Sequence, residues 1–259
     1  MPRILVIVPF PLDERNLAQR RSQGEAVRLP DDVELVYRTA RVAPSNYVSG
    51  HDSVIAELSM MEVGMRAEAE GFDAVCIDTM SDTGVTALRS VLRIPVIGPG
   101  RHTMLAALML GRRFSILTMW DAWKPLYSQN IADLGLQAQC ASVRAAGIVP
   151  DNRNLLAGKE DQVFPRLVEA GRLCVEEDGA DVLILGSTTM HDAHAHLCAN
   201  LPVPVPVIDP GPASYALAVA AIRLRSVHSL VTYPLQPAPS ATRLRAVVEA
   251  GAAADATRG

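Results

Sequence analysis

The sequence has few aromatic residues and no excess of positive charge. Aromatic side chains make up 4% of the 259 residues, and 24 basic against 28 acidic residues give a formal net charge of −4. Nucleic acids and anionic membranes are bound by clusters of Lys and Arg, and no such cluster is present. We therefore expect neither a nucleic acid nor a membrane as a partner.

Long apolar runs are missing as well. No stretch approaches the roughly 20 apolar residues that span a bilayer. The apolar start MPRILVIVPF has no cleavage pattern after it, so it is interpreted as a β-strand and not as a signal peptide. The four cysteines are widely spaced, without a CxxC pair, as is typical of free thiols in a reducing compartment. We expect a soluble, cytoplasmic protein.

Three common cofactor and catalytic signatures are absent. The sequence has no GxGxxG after its first strand, no GxxxxGK[ST] and no GxSxG. Dinucleotide binding, P-loop hydrolysis and an α/β-hydrolase nucleophile elbow are therefore not supported. We expect no cofactor.

What the sequence does contain is an alternation of short apolar runs with amphipathic stretches of helical length. The apolar runs lie at Ile4–Val8, Val33–Tyr37, Ala74–Ile77, Pro95–Ile97, Phe114–Leu117, Val182–Leu185 and Val205–Ile208. Continuous apolar strands without polar alternation are typical of a parallel sheet that is covered on both faces. The pattern predicts an α/β fold of the doubly wound type.

The sequence also contains an internal duplication. Residues 68–79 resemble residues 176–187: in each segment a Gly follows a charged helix end, an Asp opens the turn, and four apolar residues lead to a hydroxyl residue, Thr79 or Ser187. The duplication predicts two similar doubly wound parallel-sheet lobes.

The predicted division of the chain is residues 1–100 with 209–233 for the first lobe, 101–208 for the second, and 234–259 for a C-terminal tail. In this tail we expect a Pro-rich linker and one short helix at Thr242–Gly251. That helix either packs on a neighbouring subunit or frays.

Polar residues follow both duplicated strands, as DTMSDTG at 78–84 and GSTTMHD at 186–192. Hydroxyls and free backbone N–H groups at a helix start can bind a carboxylate or a phosphate, and ordinary N-capping accounts for only one or two hydroxyls per turn. Ligands of such folds bind at the carboxyl ends of the strands. We therefore predict a site in the cleft between the lobes. Its predicted binding residues in these turns are Met80, Ser81, Thr188, Thr189 and Met190.

Several of these features together resemble the aspartate/glutamate/hydantoin racemase superfamily, and the hydantoin racemase branch most of all. They are the duplicated segments, PVIGPG at 95–100, LGRRFSILT at 110–118 and LGSTTM at 185–190. The resemblance covers about residues 1–230. It implies a homo-oligomer that needs no cofactor, in which two opposed cysteines act as acid and base on a carbon α to a carbonyl.

The sequence departs from that pattern at its most important positions. The two cysteines fall on Thr79 and Ser187, and the Asn of a substrate-binding turn is missing from Pro9–Pro11. An alcohol, unlike a thiol, gives no usable base near neutrality unless another group activates it. A symmetric two-thiol racemase is therefore excluded.

We predict that Thr79 and Ser187 hold the oxygens of a substrate, while Asp78 or His191 transfers the proton. An imidazole in the first turn of a helix suits acid–base work, whereas Asp78 could instead accept hydrogen bonds from the turn. His51 and His102 are further candidates. The other faces of the site are predicted to be closed by Pro9, Phe10, Thr118, Met119 and Trp120.

The three histidines between His191 and His196 suggest a metal site, but helical geometry argues against it. At 100° per residue His191 and His194 lie about 60° apart, and His196 points away from His194. We therefore predict no metal ligands, a buried His194 and a solvent-facing His196.

The predicted function is that of a PLP-independent, racemase- or isomerase-like enzyme. It would act at a carbon α to a carbonyl in a small carboxylate or a hydantoin-like cyclic imide. Three alternatives stay open. They are a one-sided lyase or decarboxylase, a ring-opening hydrolase that could be metal-dependent, and a non-catalytic protein that binds small acids.

Overall fold

The computed structural model describes residues 1–44, 47–149 and 160–256. Its strands form two parallel four-stranded sheets. The first contains β1 (Arg3–Val8), β2 (Glu34–Thr39), β3 (Ala74–Ile77) and β4 (Val96–Ile97), in the order β2-β1-β3-β4. The second contains β5 (Phe114–Thr118), β6 (Cys140–Ala145), β7 (Val182–Leu185) and β8 (Val207–Ile208), in the matching order β6-β5-β7-β8. The predicted α/β fold with two similar lobes is confirmed.

Helices alternate with these strands. They are α1 (Glu14–Glu25), α2 (Gly50–Gly64), α3 (Val85–Arg89), α4 (Pro99–Leu110), α5 (Lys124–Asp133), α6 (Glu160–Glu176), α7 (His194–Asn200), α8 (Pro210–Arg223) and α9 (Ala241–Ala256). Short 3-10 turns lie at Asp121–Trp123 and Thr188–Ala193. Both α4 and α8 begin with Pro, whose fixed φ suits the first helical position. Within the described ranges no helix is long and apolar enough to cross a membrane.

Two helices cover the sheet of the opposite lobe. Helix α4 follows the first sheet, yet its Met104 and Ala107 are buried in the core around β5 and β7. Helix α8 follows the second sheet, yet its Tyr215 and Ala218 are buried against strands of the first sheet. Because the central strands β1, β3, β5 and β7 are buried on both faces, they are largely apolar.

The apolar-run criterion does not predict strand β6. Its sequence CASVRA alternates small apolar with polar side chains, because β6 lies at the edge of the second sheet and is half-buried throughout. The polar side chains are paired: Ser142 bonds Ser115 at 2.8 Å, and Arg144 forms an ion pair with Asp178. Hydrogen bonding between side chains thus replaces apolar burial on this strand.

The C-terminal helix differs from the prediction. It is longer, spanning Ala241–Ala256, and it packs on α2 of its own chain instead of fraying or requiring a neighbouring subunit. Val248 is 2% exposed, and Arg245 lies 3.4 Å from Glu62. Buried apolar surface and an ion pair therefore hold the helix to the first lobe.

Candidate active site

A pocket lies between the strand-end turns of the two lobes. It encloses about 450 Å³ of space, part of which is open to solvent. Several residues predicted from the sequence line it, namely Pro9, Phe10, Asp78, Thr79, Met80, Ser81 and Thr189. The remaining lining residues are Arg20, Tyr47, Trp123, Leu126, Tyr127 and Gly186. The pocket therefore combines polar turns with aromatic walls.

Matching hydroxyl pairs occupy the two turns. In the first lobe Thr79 Oγ1 lies 3.1 Å from Ser81 Oγ. In the second, Ser187 Oγ lies 2.7 Å from Thr189 Oγ1 and also accepts a hydrogen bond from the Thr189 N–H at 3.2 Å. Ser187 is half-buried beside the pocket, and Gly186 and Thr189 on either side of it form the wall. Each lobe thus presents a hydroxyl pair at the equivalent position.

A buried ion pair forms the polar base of the pocket. Arg20 Nη1 lies 3.4 Å from Asp78 Oδ2, and the two side chains are 6% and 1% exposed. The same guanidinium donates to Thr188 Oγ1 at 3.2 Å, and that hydroxyl donates to the Asp78 carbonyl at 3.1 Å. These bonds connect α1 and the end of β3 with the turn of the second lobe.

Burial raises the pKa of Asp78 above its usual range, and the charge of Arg20 opposes that shift. The nearby Thr188 and Gln23 side chains also lower the pKa of Asp78. Neither carboxylate oxygen, however, has a hydrogen-bond donor of good geometry within the described ranges. Both carboxylate oxygens are therefore buried beside the pocket without a hydrogen-bond donor.

His191 lies beside this pocket and not on its wall. It lines a smaller adjoining pocket of about 240 Å³, which shares Arg20 and Thr189 with the larger one. Its Nδ1 hydrogen-bonds Oδ2 of Asp209, the residue that precedes α8. This hydrogen bond raises the pKa of His191 above its ordinary value. The Asp209 carboxylate fixes the ring and leaves Nε2 for proton transfer.

Other predicted site residues lie behind the wall. Met119 and Met190 are fully buried in the core of the second lobe. Thr118 Oγ1 bonds Tyr127 Oη at 2.9 Å, and that phenol donates to the Gly186 carbonyl at 2.7 Å. The side chains at 118, 119 and 190 therefore shape the wall without reaching the pocket.

Two aromatic pairs close the pocket from opposite lobes. Phe10 and Tyr47 pack edge to face at 5.5 Å between ring centroids. In the second lobe Trp123 lines the pocket, and the predicted Trp120 packs behind it at 6.3 Å. The 3-10 turn at Asp121–Trp123 turns the second of the two tryptophans, not the first, toward the site.

The remaining histidine candidates lie outside this pocket. The His51 side chain is 80% exposed at the start of α2. His102 donates from Nδ1 to the Gly98 carbonyl at 2.8 Å, and burial lowers its pKa to about 4. His194 Nε2 donates to the Val207 carbonyl at 2.9 Å. His196 is half-buried against Phe164 and not solvent-facing, because α6 packs beside α7.

None of the four cysteines lines the pocket. Cys76 is fully buried with its Sγ 3.7 Å from the Ser214 carbonyl, while Cys198 is exposed and lies 3.7 Å from His194 Nε2. Over the parts of the chain that the structure describes, no three His, Cys, Asp or Glu side chains are grouped as metal ligands.

A simple pattern identifies one of the residues that sequence reasoning missed. Leu17 and Arg20 are three residues apart on α1 and therefore share its buried face, where a charged residue is expected to have a partner or a function. Tyr47 gives no such signal, because it follows β2 in a loop and reaches the pocket only through tertiary packing.

The fold and the position of the pocket define a two-lobed α/β protein with its ligand site between duplicated lobes. The family model for Asp/Glu/hydantoin racemases matches residues 19–218. The chain belongs to this family.

Relatives of known structure and sequence agree with that assignment. A hydantoin racemase from Rhizobium meliloti is 30% identical over 181 residues, which cover 68% of this chain and 71% of the relative. The structure of an allantoin racemase from Pseudomonas fluorescens is 26% identical with a TM-score of 0.80, covering 92% of this chain and 98% of that one. The structure of an allantoin racemase from Klebsiella pneumoniae has the same fold, with a TM-score of 0.82 and 23% sequence identity. The match covers 95% of this chain and 98% of that one.

Proposed function

We propose that the protein is a cofactor-independent, isomerase-like enzyme that removes and returns a proton at a carbon α to a carbonyl. The observation that carries this proposal is the pair of equivalent hydroxyl turns, Thr79–Ser81 and Ser187–Thr189, beside one pocket whose polar base is the Arg20–Asp78 ion pair. The named hydantoin and allantoin racemases support the same reaction class.

The hydroxyls stabilise negative charge that develops on a substrate oxygen. Thr79 and Ser81 act from the first lobe, and Thr189 acts from the second with Ser187 holding its hydroxyl. Donors that are already in place at an oxyanion need no reorganisation during the reaction, so they favour an enolate-like state. Alcohols of ordinary pKa are not themselves the bases.

The ion pair favours a hydantoin-like cyclic imide over a highly charged substrate. Asp78 offers acceptors that lack a donor, and Arg20 offers N–H donors beside them. An imide presents the complementary arrangement, an N–H next to a carbonyl oxygen. Because the two charges of the pair cancel, a ligand of low net charge fits this part of the pocket.

Two groups can carry the proton. Asp78 lines the pocket, and burial raises its pKa above the usual range of a carboxyl group. His191 acts from the adjoining pocket, where Asp209 orients its ring. The walls formed by Phe10, Tyr47 and Trp123 exclude water from the carbanion.

The proposal is tested by following the α-proton by NMR in deuterated water. The panel contains 5-substituted hydantoins, amino acids and substituted malonates, each with and without chelator. Loss of the α-proton signal without a new product is the expected result. No change with any compound, together with ligand-induced thermal stabilisation, would instead indicate a non-catalytic protein that binds small acids.

A one-sided reaction is the second candidate, and an asymmetry between the lobes favours it. The position of Asp78 in the first turn corresponds to Gly186 in the second, so the equivalent point has no carboxylate. With a base on one face, decarboxylation, elimination or ring opening needs no second proton carrier. In the same NMR experiment a new product, and not simple exchange, identifies this candidate, and its sensitivity to chelator reports a metal requirement.

A further inference from the structure

A second polar pocket lies where α3, α4 and the segment after α8 meet. It encloses about 600 Å³ of space, part of which is open to solvent. It shares no lining residue with the pocket proposed to be catalytic. Its polar lining residues are Arg89, His102, Ser226, His228, Ser229 and Tyr233.

Two guanidinium groups donate hydrogen bonds to the phenol oxygen of one tyrosine at this pocket. Arg89 is 7% exposed; its Nη1 donates to Tyr233 Oη at 3.2 Å, and its Nε and Nη2 donate to the Val96 carbonyl at 3.2 and 2.8 Å. Arg101 Nη1 donates to the same phenol oxygen at 3.1 Å. Since that oxygen accepts two N–H bonds, the phenolic hydrogen is left to donate to another group.

The positive charge of these two arginines is incompletely balanced. Asp82 lies 3.8 Å from Arg101 Nε, but its oxygens already accept the backbone N–H groups of Gly100 and Arg101 at 2.7 and 2.8 Å, and the Asn130 amide at 3.2 Å. One carboxylate that is largely engaged at the start of α4 therefore faces two buried or half-buried cations.

The pKa values of the neighbouring titratable groups reflect this positive charge. His102 is neutral, because burial and the nearby arginines lower its pKa to about 4, and burial also lowers the pKa of His228. Burial alone would raise the pKa of Tyr233, but the hydrogen bonds and charges of Arg89 and Arg101 outweigh it and lower that pKa. The surroundings of the phenol are therefore electropositive.

In another arginine-rich groove, on the first lobe, the arginines are paired with carboxylates. There Arg38 and Arg66 pair with Glu70, and Arg245 pairs with Glu62. Each arginine that lines this groove forms an ion pair with a carboxylate, although Arg38 and Arg66 share Glu70. The pocket at Tyr233 differs because its two cations share a phenol.

We propose that the pocket at Tyr233 binds a small anion, a carboxylate or a phosphate. The free donors of Arg89 and the phenolic O–H of Tyr233 bind the anionic oxygens, with the serine hydroxyls of the segment after α8 at the rim. Arg101 does not line the pocket, but it adds positive charge beside it through its hydrogen bond to the phenol. Such charge-assisted hydrogen bonds are the strong class in proteins.

The test is isothermal titration calorimetry of the full chain with inorganic phosphate and, separately, with succinate, at neutral pH and constant ionic strength. We expect one saturable site in the wild type. Tyr233→Phe weakens binding about tenfold, because it removes a hydrogen bond to the charged ligand. Arg101→Gln weakens binding by a similar factor, because it removes a positive charge next to the phenol. The matched control is Arg93→Gln, which removes an exposed positive charge on the same lobe and leaves binding unchanged.

The two titrants distinguish the possible ligands, since binding of phosphate alone or succinate alone identifies the anion class. The proposal is overturned if neither anion gives a saturable isotherm, or if Arg101→Gln and Tyr233→Phe both bind as the wild type does. Circular dichroism and thermal unfolding in sodium chloride establish that each variant is folded. Tyr233→Phe keeps the ring and serves as the decisive variant if Arg101→Gln unfolds.

Discussion

The Arg20 guanidinium lies 3.4 Å from the Asp78 carboxylate, and both side chains are almost completely buried. The pair joins α1 to the end of β3, and its hydrogen bonds with Thr188 extend to the second lobe. Two buried charges that neutralise each other are tolerated, whereas one of them alone is not. This ion pair therefore serves both the stability of the fold and the polarity of the pocket.

Replacing Arg20 with Gln is expected to destabilise the fold by about 3–5 kcal/mol, because it leaves a buried carboxylate without its counter-charge. The measurement is urea unfolding. The matched control is Arg21→Gln on the same helix, whose ion pair with Glu14 is exposed and contributes about 0–1 kcal/mol. A loss for Arg20→Gln no larger than the control's would contradict the role given to the pair.

The pH dependence of that variant follows from the raised pKa of Asp78. An acid whose folded-state pKa lies above its unfolded value costs stability as the pH rises through the interval between the two values. Without Arg20 the folded-state pKa rises further, so the destabilisation is larger at neutral pH than in acid, where Asp78 is protonated. The double variant with Asp78→Asn removes this pH dependence.

Replacing Asp209 with Asn is expected to lower the pKa of His191, because it removes the carboxylate that raises it. Imidazole NMR titration measures this directly. The stability that protonated His191 gains from Asp209 is fully present below the ordinary pKa of histidine. It is lost as the pH rises through the raised pKa that His191 has in the folded state. The variant therefore loses about 1.5–3 kcal/mol at about pH 6, and less at about pH 9.

Asp192→Asn is the control for this experiment, since the Asp192 side chain is exposed and contributes less to the shift at His191. If the two variants lower the His191 pKa equally, the specific pairing with Asp209 is refuted.

The two hydroxyl turns are tested by Thr79→Ala and Ser187→Ala. Under the proposed function Thr79→Ala lowers the rate of α-proton exchange roughly a hundredfold, the loss typical of one oxyanion donor. Ser187→Ala lowers the rate less, because it removes only the hydroxyl that holds Thr189. Thr86→Ala on the exposed side of α3 leaves the rate unchanged. Exchange at the wild-type rate in both turn variants would show that these hydroxyls are not part of the reaction.

Gly100 is tested by substitution with Ala. An added Cβ would collide with the Met80 carbonyl and lie 2.7 Å from Asn130 Nδ2, so the start of α4 must move. The expected loss is about 1–3 kcal/mol in thermal or urea unfolding. Gly50→Ala in the first turn of α2 meets nothing within 4 Å and is expected to be neutral or slightly stabilising.

The features predictable from sequence are those that local pattern determines. Apolar runs located the strands of both sheets except β6, whose edge position permits the polar side chains of Ser142 and Arg144. The duplicated turns located Thr79 and Ser81, because a strand end and its following hydroxyls are neighbours along the chain.

What the sequence could not supply is the pairing of distant residues. Arg20 and Asp78 are 58 positions apart, and Asp209 follows a different strand from the turn that carries His191. The tryptophan facing the pocket depends on the rotation of a single 3-10 turn, which places Trp123 forward and Trp120 behind. Such contacts depend on how distant segments pack together, and the local sequence pattern does not predict that packing.

The exchange of α4 and α8 between the lobes has a consequence for how such a chain could arise. A half-length ancestor would leave one face of its sheet bare and would present its last helix to another molecule. Two copies could then bury both sheets only by swapping those helices, as Met104 and Tyr215 do within this chain. Fusion of the two genes would make the swap intramolecular. Each strand-end turn could then change independently, and the equivalent positions now carry different residues, Asp78 and Gly186.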